Sequence, residues 1–365
     1  MKIKDITLFL ESIAPQELQE SYDNAGLIVG NQENTCIGIL TTLDITELVL
    51  EEAIRKNCNL IVAHHPIIFK GIKRLNGKNY VERAVIFAIK NDLAIYAIHT
   101  NLDNVLDGVN SKIAEKLQLH NCKVLLPKKD TLQKLVTFSP VKNAPEVRDA
   151  LFKAGAGAIG KYDECSFNVN GEGTFCAGEG SHPFVGKQGE LHHEEEIRIE
   201  VIFPSFTQSQ LVRALKEAHP YEEVAYYIQQ LENVREDIGS GLTGELPEPL
   251  SENELLELLK DKFQLSVIKH TAFLNKPVTK IAVCGGAGIF LLPNAIAAVA
   301  EVFITGDVKY HEFFDADGKL LLVDIGHFES EQFTIELLTE FLQKKYRNFA
   351  VLKTEINTNP VNYFT

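Results

Sequence analysis

The sequence lacks any cysteine pattern that would put sulfur at the centre of its chemistry. Its six cysteines, Cys36, Cys58, Cys122, Cys165, Cys176 and Cys284, form no C-x-x-C pair. That absence removes zinc-ribbon and thioredoxin-type readings. Scattered cysteines in a chain of 365 residues read as reduced, mostly buried small side chains in a cytosolic compartment. Cys176 and Cys284 are the two candidates for reactive thiols. No stretch reaches the ~18 apolar residues of a membrane span. The first residues, MKIKDITLFLESIAPQELQE, introduce acidic side chains where a signal peptide would have an apolar run. A cytoplasmic protein with no membrane partner is therefore expected. Positive charge is scarce as well: 36 Lys and Arg stand against 50 Asp and Glu, a net charge of −14. Such a surface repels nucleic acid, so none is expected as a partner. A local metal-charged pocket can still attract an anionic small molecule.

What is present is an ordinary globular composition, 45% hydrophobic and 24% charged, long enough for two or three domains. The first third alternates strand and helix patterns. Residues Ile6–Ile13 suggest an amphipathic helix and GILTTL a strand. Asp44, with Glu47 three residues on, reads as the cap of the next helix. NLIVA and LAIYAI are short apolar runs of the buried-strand type. After about Leu126 the order becomes β-α-β-β-(β)-α-β, the split βαβ pattern of a ferredoxin-like domain. Here DECSFNVNGEGTFCAG reads as a hairpin with glycine at its turn. After about Asn233, VREDIGSGLTGELPEPLS is rich in Gly and Pro and reads as a linker. Strand and helix patterns then resume to the end. The expected fold is a two-lobed α/β core with largely parallel sheets, residues 1–125 and 234–365, interrupted by an inserted α+β domain over 126–233.

Several predicted strands end in metal-capable side chains. NLIVA runs into His64 and His65, LAIYAI into His99 with Asp103 four residues on, and LLLVDIG into His327 with Glu331 four residues on. In open α/β sheets functional residues gather beyond the carboxyl ends of strands. Adjacent strand residues face opposite ways, so His64 and His65 at a strand end suit two neighbouring ions better than one. His327 and Glu331 share a face if a helix begins there. Asp103 and Glu331 can each bridge two cations, having two oxygens apiece. Three imidazoles and two carboxylates exceed the needs of one four-coordinate zinc and suit a dinuclear centre. The expectation is two divalent ions per subunit, zinc first, with manganese and iron also compatible. Taken singly, an HH pair or an H-x-x-x-E is more often packing or a solvated helix face.

His99 and His311 are the candidates for proton transfer, the nucleophile being metal-activated water; each also has a structural reading. Lys309 and Tyr310 could contact a substrate anion, or simply face solvent. His192, His193 and Glu194–Glu196 read as a charged strand edge rather than a second metal site. CGGAG, from Cys284 to Gly288, lacks the Lys and Ser/Thr of a P-loop and reads as a tight turn.

The segments Asp23–Gly30 (DNAGLIVG), Ile61–Pro66 (IVAHHP), His99–Asp103 (HTNLD) with Gly108–Asn110 (GVN), Ile304–Glu312 (ITGDVKYHE) and Asp324–Glu331 (DIGHFESE) together resemble the signature blocks of the Nif-three-like family. Members of that family are often labelled GTP cyclohydrolase 1 type 2 homologs or dinuclear-metal-centre proteins. The resemblance implies that His64, His65, Asp103, His327 and Glu331 ligate two metals. It implies a homohexameric ring whose sites face an internal cavity. It also implies a PII-like or ferredoxin-like insert, of which His219–Glu223 (HPYEE) looks like the signature. By its label it implies hydrolytic opening of a guanine ring in a small, nucleotide-like substrate. The alternative is a non-enzymatic metal-binding scaffold or regulator whose insert senses a ligand or partner.

Overall fold

The computed structural model describes residues 1–364. The chain divides into two compact units: Met1–Pro127 together with Glu236 onward, and Lys128–Arg235.

The larger unit contains two sheets. The first runs in the order Gly26–Val29, Ala94–Ala97, Leu60–Ala63, Ile39–Thr42, Val351–Lys353. Its last three pairings are parallel and the Gly26–Val29 pairing is antiparallel. Ile39–Thr42, Leu60–Ala63 and Ala94–Ala97 are buried at every position, so no alternation of polar and apolar residues survives in them. Each buried Leu, Ile or Val contributes roughly 1.5–3 kcal/mol, which fixes where these strands end and hence where His64 and His99 emerge. The second sheet runs Lys269–His270, Leu321–Asp324, Val302–Thr305, Val278–Val283, Gly239–Leu250, His120–Pro127. Only its three central strands pair in parallel; the other pairings are antiparallel.

This second sheet corrects the expectation of a linker after Asn233 and of largely parallel sheets. Gly239–Leu250 is a strand of 12 residues, hydrogen-bonded on both sides. Its glycines serve close packing. Gly241 has φ +66°, and a Cβ there would lie 2.7 Å from Leu291 Cδ1. A residue type that marks loops by its freedom also permits close approach inside a sheet.

The Lys128–Arg235 unit has one antiparallel sheet, ordered Phe167–Cys176, Leu191–Pro204, Leu132–Pro140, Tyr226–Gln230. Leu135, Ile199, Val201 and Phe203 pack with Val147, Leu151, Leu211 and Leu215 of the helices Ala144–Lys153 and Gln208–Ala218. The glycine-rich hairpin expected within 163–178 is instead one continuous strand, Phe167–Cys176, paired residue by residue with Leu191–Glu200. Among the described residues no helix is long and apolar enough to cross a membrane.

Candidate metal centre

Three strand ends and two short helices assemble the site. His64 and His65 follow Leu60–Ala63 directly, and Asp103 closes the one-turn helix Thr100–Asp103 after Ala94–Ala97. From the second sheet, Leu321–Asp324 leads into the short helix His327–Glu331. One helical turn puts its first and last side chains on one face.

These five side chains meet. His64 Nε2 lies 3.7 Å from Asp103 Oδ1 and 3.8 Å from Glu331 Oε1. The second oxygen of Glu331 lies 3.0 Å from His65 Nε2 and 3.1 Å from His327 Nε2. These two nitrogens are 3.4 Å apart. At metal–ligand distances of ~2.0–2.1 Å, tetrahedral ligands lie roughly 3.3–3.4 Å from one another. Two triads that could hold a metal ion therefore share Glu331: His64, Asp103, Glu331 and His65, His327, Glu331. His64, His65 and His99 form a third such group.

The far side of each imidazole decides what the near side can do. His64 Nδ1 donates to the Ile98 carbonyl at 2.9 Å, His65 Nδ1 to Asp44 at 2.7 Å, and His327 Nδ1 to Asp307 at 2.7 Å. With Nδ1–H committed, each neutral ring turns its Nε2 lone pair inward. Glu331 and Asp103 also present acceptors. With all three rings neutral the inward-facing set is made only of acceptors, and either protons on the rings or a bound cation must relieve it. Among the described residues His64 Nε2 and Asp103 Oδ1 are buried without any hydrogen-bond partner, and Glu331 Oε2 is faced only by the two imidazole nitrogens, at 3.0 and 3.1 Å. Each unpartnered atom costs roughly 1–3 kcal/mol, a heavy charge against a total stability of roughly 5–15 kcal/mol. A cation at the centre relieves both, so the residues fit a metal.

The ionisation of the metal-free cluster reflects the same tension. Burial opposes charge on His65, but hydrogen bonds to Asp44 and Glu331 prevail and push its pKa up to about 10. Burial likewise opposes charge on His327, yet Glu331 raises it to about 9. Burial, followed by repulsion from Glu331, lifts the Asp103 carboxyl to about 7. Glu331 is itself buried, and the surrounding imidazoles hold it well below the ordinary carboxylate range. Protons here occupy positions where a metal ion would compete with them.

Glycine fits the loop to the cluster. Gly286 has φ +63°, and a Cβ there would collide with Glu331 Oε1. The amides of Gly285 and Gly286 donate to Asn110 Oδ1 at 3.0 Å and Ser330 Oγ at 2.9 Å. The CGGAG turn thus uses these two N–H groups inside the fold, next to Glu331.

His99 lies beside the five. Its ring centre is 5.2 Å from that of His64 and 5.3 Å from that of His65, and its Nδ1 bonds Asp23 at 2.8 Å. Burial works to raise the Asp23 pKa, but its bonds to His99 and Thr100 dominate and bring it down to about 2. His311 is placed elsewhere. Its ring contacts Tyr310 and Phe314, and it does not line the cavity of about 1160 Å³ into which His65, His99, Asp103, His327 and Glu331 face. Lys309 and Tyr310 are exposed. Cys284 is buried near Asp103 and Glu331, and burial pushes its thiol pKa up, which disfavours the reactive thiolate. Cys176 is exposed.

The carboxylates behind the candidate ligands are not evident from the sequence. Asp44 caps no helix: the cap is Thr46, whose side chain accepts from the Val49 amide. Asp44 instead divides its oxygens between His65 Nδ1 and Thr358 Oγ1, each at 2.7 Å. Asp307 bonds His327 and Asp23 bonds His99 across 20 and 76 residues of chain. The available signal was position, since Asp44 and Asp307 each follow a buried strand by two residues.

Fold and site together define an α/β protein with a preformed imidazole–carboxylate pocket that could hold metal. The chain matches the Duf34/NIF3 (NGG1p interacting factor 3) family over residues 1–360, and it belongs to that family. It is 39% identical to the GTP cyclohydrolase 1 type 2 homolog of Halalkalibacterium halodurans, over 98% of this chain and 97% of the relative. It is 34% identical to the protein of the same name from Bacillus subtilis, over 99% and 98%. Among solved structures, a Bacillus cereus protein related to NIF3 superposes with a TM-score of 0.86 at 36% identity, covering 100% of this chain and 99% of that one.

Proposed function

We propose that the pocket holds two divalent metal ions, zinc first among them, and that the chain is a metal-dependent hydrolase of a small, nucleotide-like substrate. His64, Asp103 and Glu331 would hold one ion, and His65, His327 and Glu331 the other. The observation that carries this reading is the pair of buried acceptors without partners, His64 Nε2 and Asp103 Oδ1, converging with the imidazoles of His65 and His327 on Glu331. Bound divalent ions supply Lewis acidity and lower the pKa of coordinated water from ~15.7 to about 7.

The chain's own residues do the rest. Ile98 O, Asp44 and Asp307 fix the three rings and keep their Nε2 atoms inward. His99, held by Asp23, is positioned to keep or hand over a proton at the cavity wall. The lining contains a single Lys or Arg, Lys269, already paired with Asp324 at 2.5 Å. Substrate phosphates would therefore be met by the ions and hardly by side chains. The names of the relatives make GTP the first substrate to test, with phosphoesters beside it.

The remaining expectations join the proposal. The unit Lys128–Arg235 is read as a ferredoxin-like, PII-like domain, supported by its βαββαβ order. A cytoplasmic homohexamer belongs to the same reading; the exposed rings of Tyr310 and Phe314, 74% and 66% accessible, are apolar surface that an interface between copies would cover.

Elemental analysis of gently purified protein tests the metal reading, with two equivalents expected. Metal-loaded protein is then given GTP, guanosine and a phosphoester panel. Turnover that disappears in His64→Ala, with the fold retained, supports the hydrolase. Full metal content without any turnover rejects it and leaves a binding protein.

A further inference from the structure

The smaller unit holds a second cavity, of different chemistry. Along Leu191–Pro204, the side chains of Ile199, Val201 and Phe203 pack into the core with the helices. Alternation turns Glu196 and Arg198 to the opposite face of the sheet. A cavity of about 680 Å³ lies on that face. Its walls include Phe138, Phe175, Phe184, Tyr221 and Tyr227. The ring pairs Phe138–Tyr227, Phe175–Tyr221 and Phe184–Tyr221 are spaced at 5.8, 6.1 and 6.3 Å.

Glu196 lies among these rings with 9% of its surface exposed. Its Oε1 accepts from the Tyr221 hydroxyl at 2.9 Å. Tyr221 is held in turn: its amide donates to His219 Nδ1 at 3.1 Å, and His219 Nε2 donates to the Phe138 carbonyl at 2.8 Å. Burial and the adjacent carboxylate raise the Tyr221 pKa, so its hydroxyl keeps its proton and remains a donor. Among the described residues no group hydrogen-bonds Glu196 Oε2. Room for it exists because residue 173 is glycine; a Cβ there would collide with Oε2.

Of the other charges at the cavity, Glu223 is exposed to solvent and the rest are engaged. Glu172 pairs with His193 at 3.0 Å, Glu222 accepts from the His182 amide at 2.8 Å, and Arg198 pairs with Glu200 at 2.7 Å. The buried carboxylate among them is Glu196, half satisfied in a cavity lined by aromatic rings. A buried carboxylate calls for a cation, and aromatic faces attract one. Among the described residues, every group of three or more His, Cys, Asp or Glu side chains that could hold a metal ion lies in the larger unit. An organic cation therefore fits better than a metal.

We propose that this cavity binds a small organic cation with an ammonium or guanidinium N–H that donates to Glu196 Oε2, its hydrocarbon part lying against the aromatic walls. The assignment does not depend on the metal centre.

Three probes with one skeleton test it by calorimetry on the full-length protein: 2-phenylethylammonium, the neutral 2-phenylethanol and the anionic phenylacetate. Saturable binding is expected for the ammonium compound and not for the other two. Adding a chelator should leave it unchanged, which separates this cavity from the metal pocket. Affinity should fall roughly tenfold or more in Glu196→Gln, the loss of a desolvated cation–carboxylate contact. Gly173→Ala should weaken binding by displacing Oε2. Tyr221→Phe, which keeps the carboxylate, should retain it. Equal binding of the alcohol, absence of binding by the ammonium compound, or an unchanged affinity in folded Glu196→Gln overturns the proposal. If Glu196→Gln does not fold, the ammonium–alcohol comparison on the unmodified protein decides.

Discussion

The two sides of Glu331 are built differently. On one side, His64 is fully buried and its Nδ1 is held by the backbone carbonyl of Ile98. On the other, His65 and His327 are held by side-chain carboxylates, and His327 is 36% exposed at its side chain. A carbonyl fixes a ring as rigidly as the strand that carries it. A carboxylate adds negative charge and makes the ring more basic. The first side is set by the fold and can change only if the sheet does. The second depends on residues that can be altered one at a time.

Glu331→Gln tests the comparison most severely, because it removes charge from both sides. At least one of two expected metal equivalents should be lost by elemental analysis, and equal metal content in this variant would show that Glu331 does not join the sides. Asp44→Asn and Asp307→Asn come next. Each should weaken metal retention on the carboxylate-held side by roughly 10–100-fold and leave the His64 side unchanged. Asp44 is the more enclosed, so its variant should show the larger loss in competition against a chelator. Thr358→Val removes only a hydroxyl bond to Asp44, and an effect of a few-fold on the same measurement is expected.

The smallest effect concerns Asp23, outside the proposed ligand set. Its folded pKa of about 2 is below the ~3.9 of an unfolded aspartate. Its stabilisation is therefore present above about pH 4 and is lost as pH falls through about 2. Asp23→Asn should lower the Tm at neutral pH, and the gap from the unmodified protein should close near pH 2. A gap that stays constant with pH would show that the Asp23–His99 pair carries no charge-dependent stability.

The ligand candidates were legible in the sequence because each follows or ends a short buried element. NLIVA before His64 and His65, LAIYAI before His99 and LLLVDIG before His327 leave little freedom about where the next side chain emerges. The H-x-x-x-E spacing was legible for the same reason, since one helical turn is a local property. His311 had the same local credentials, lying six residues beyond Thr305 at the end of a buried strand, yet its ring sits in an exposed aromatic cluster. Gly239–Leu250 failed in the opposite direction. Its glycines and prolines are locally those of a loop, and only partners on both sides, His120–Pro127 and Val278–Val283, make it a strand.

By itself the sequence determined the buried strands, the short helix His327–Glu331 and the residue types available at their ends, all consequences of hydrophobic burial and backbone periodicity over a few neighbours. Only the tertiary structure decided which strand ends converge, and that Asp44 and Asp307 stand behind His65 and His327 instead of capping helices or facing water. It also decided that residue 173 had to be glycine to admit Glu196. Those are contacts between segments far apart in the chain, and no local preference encodes the distance between them.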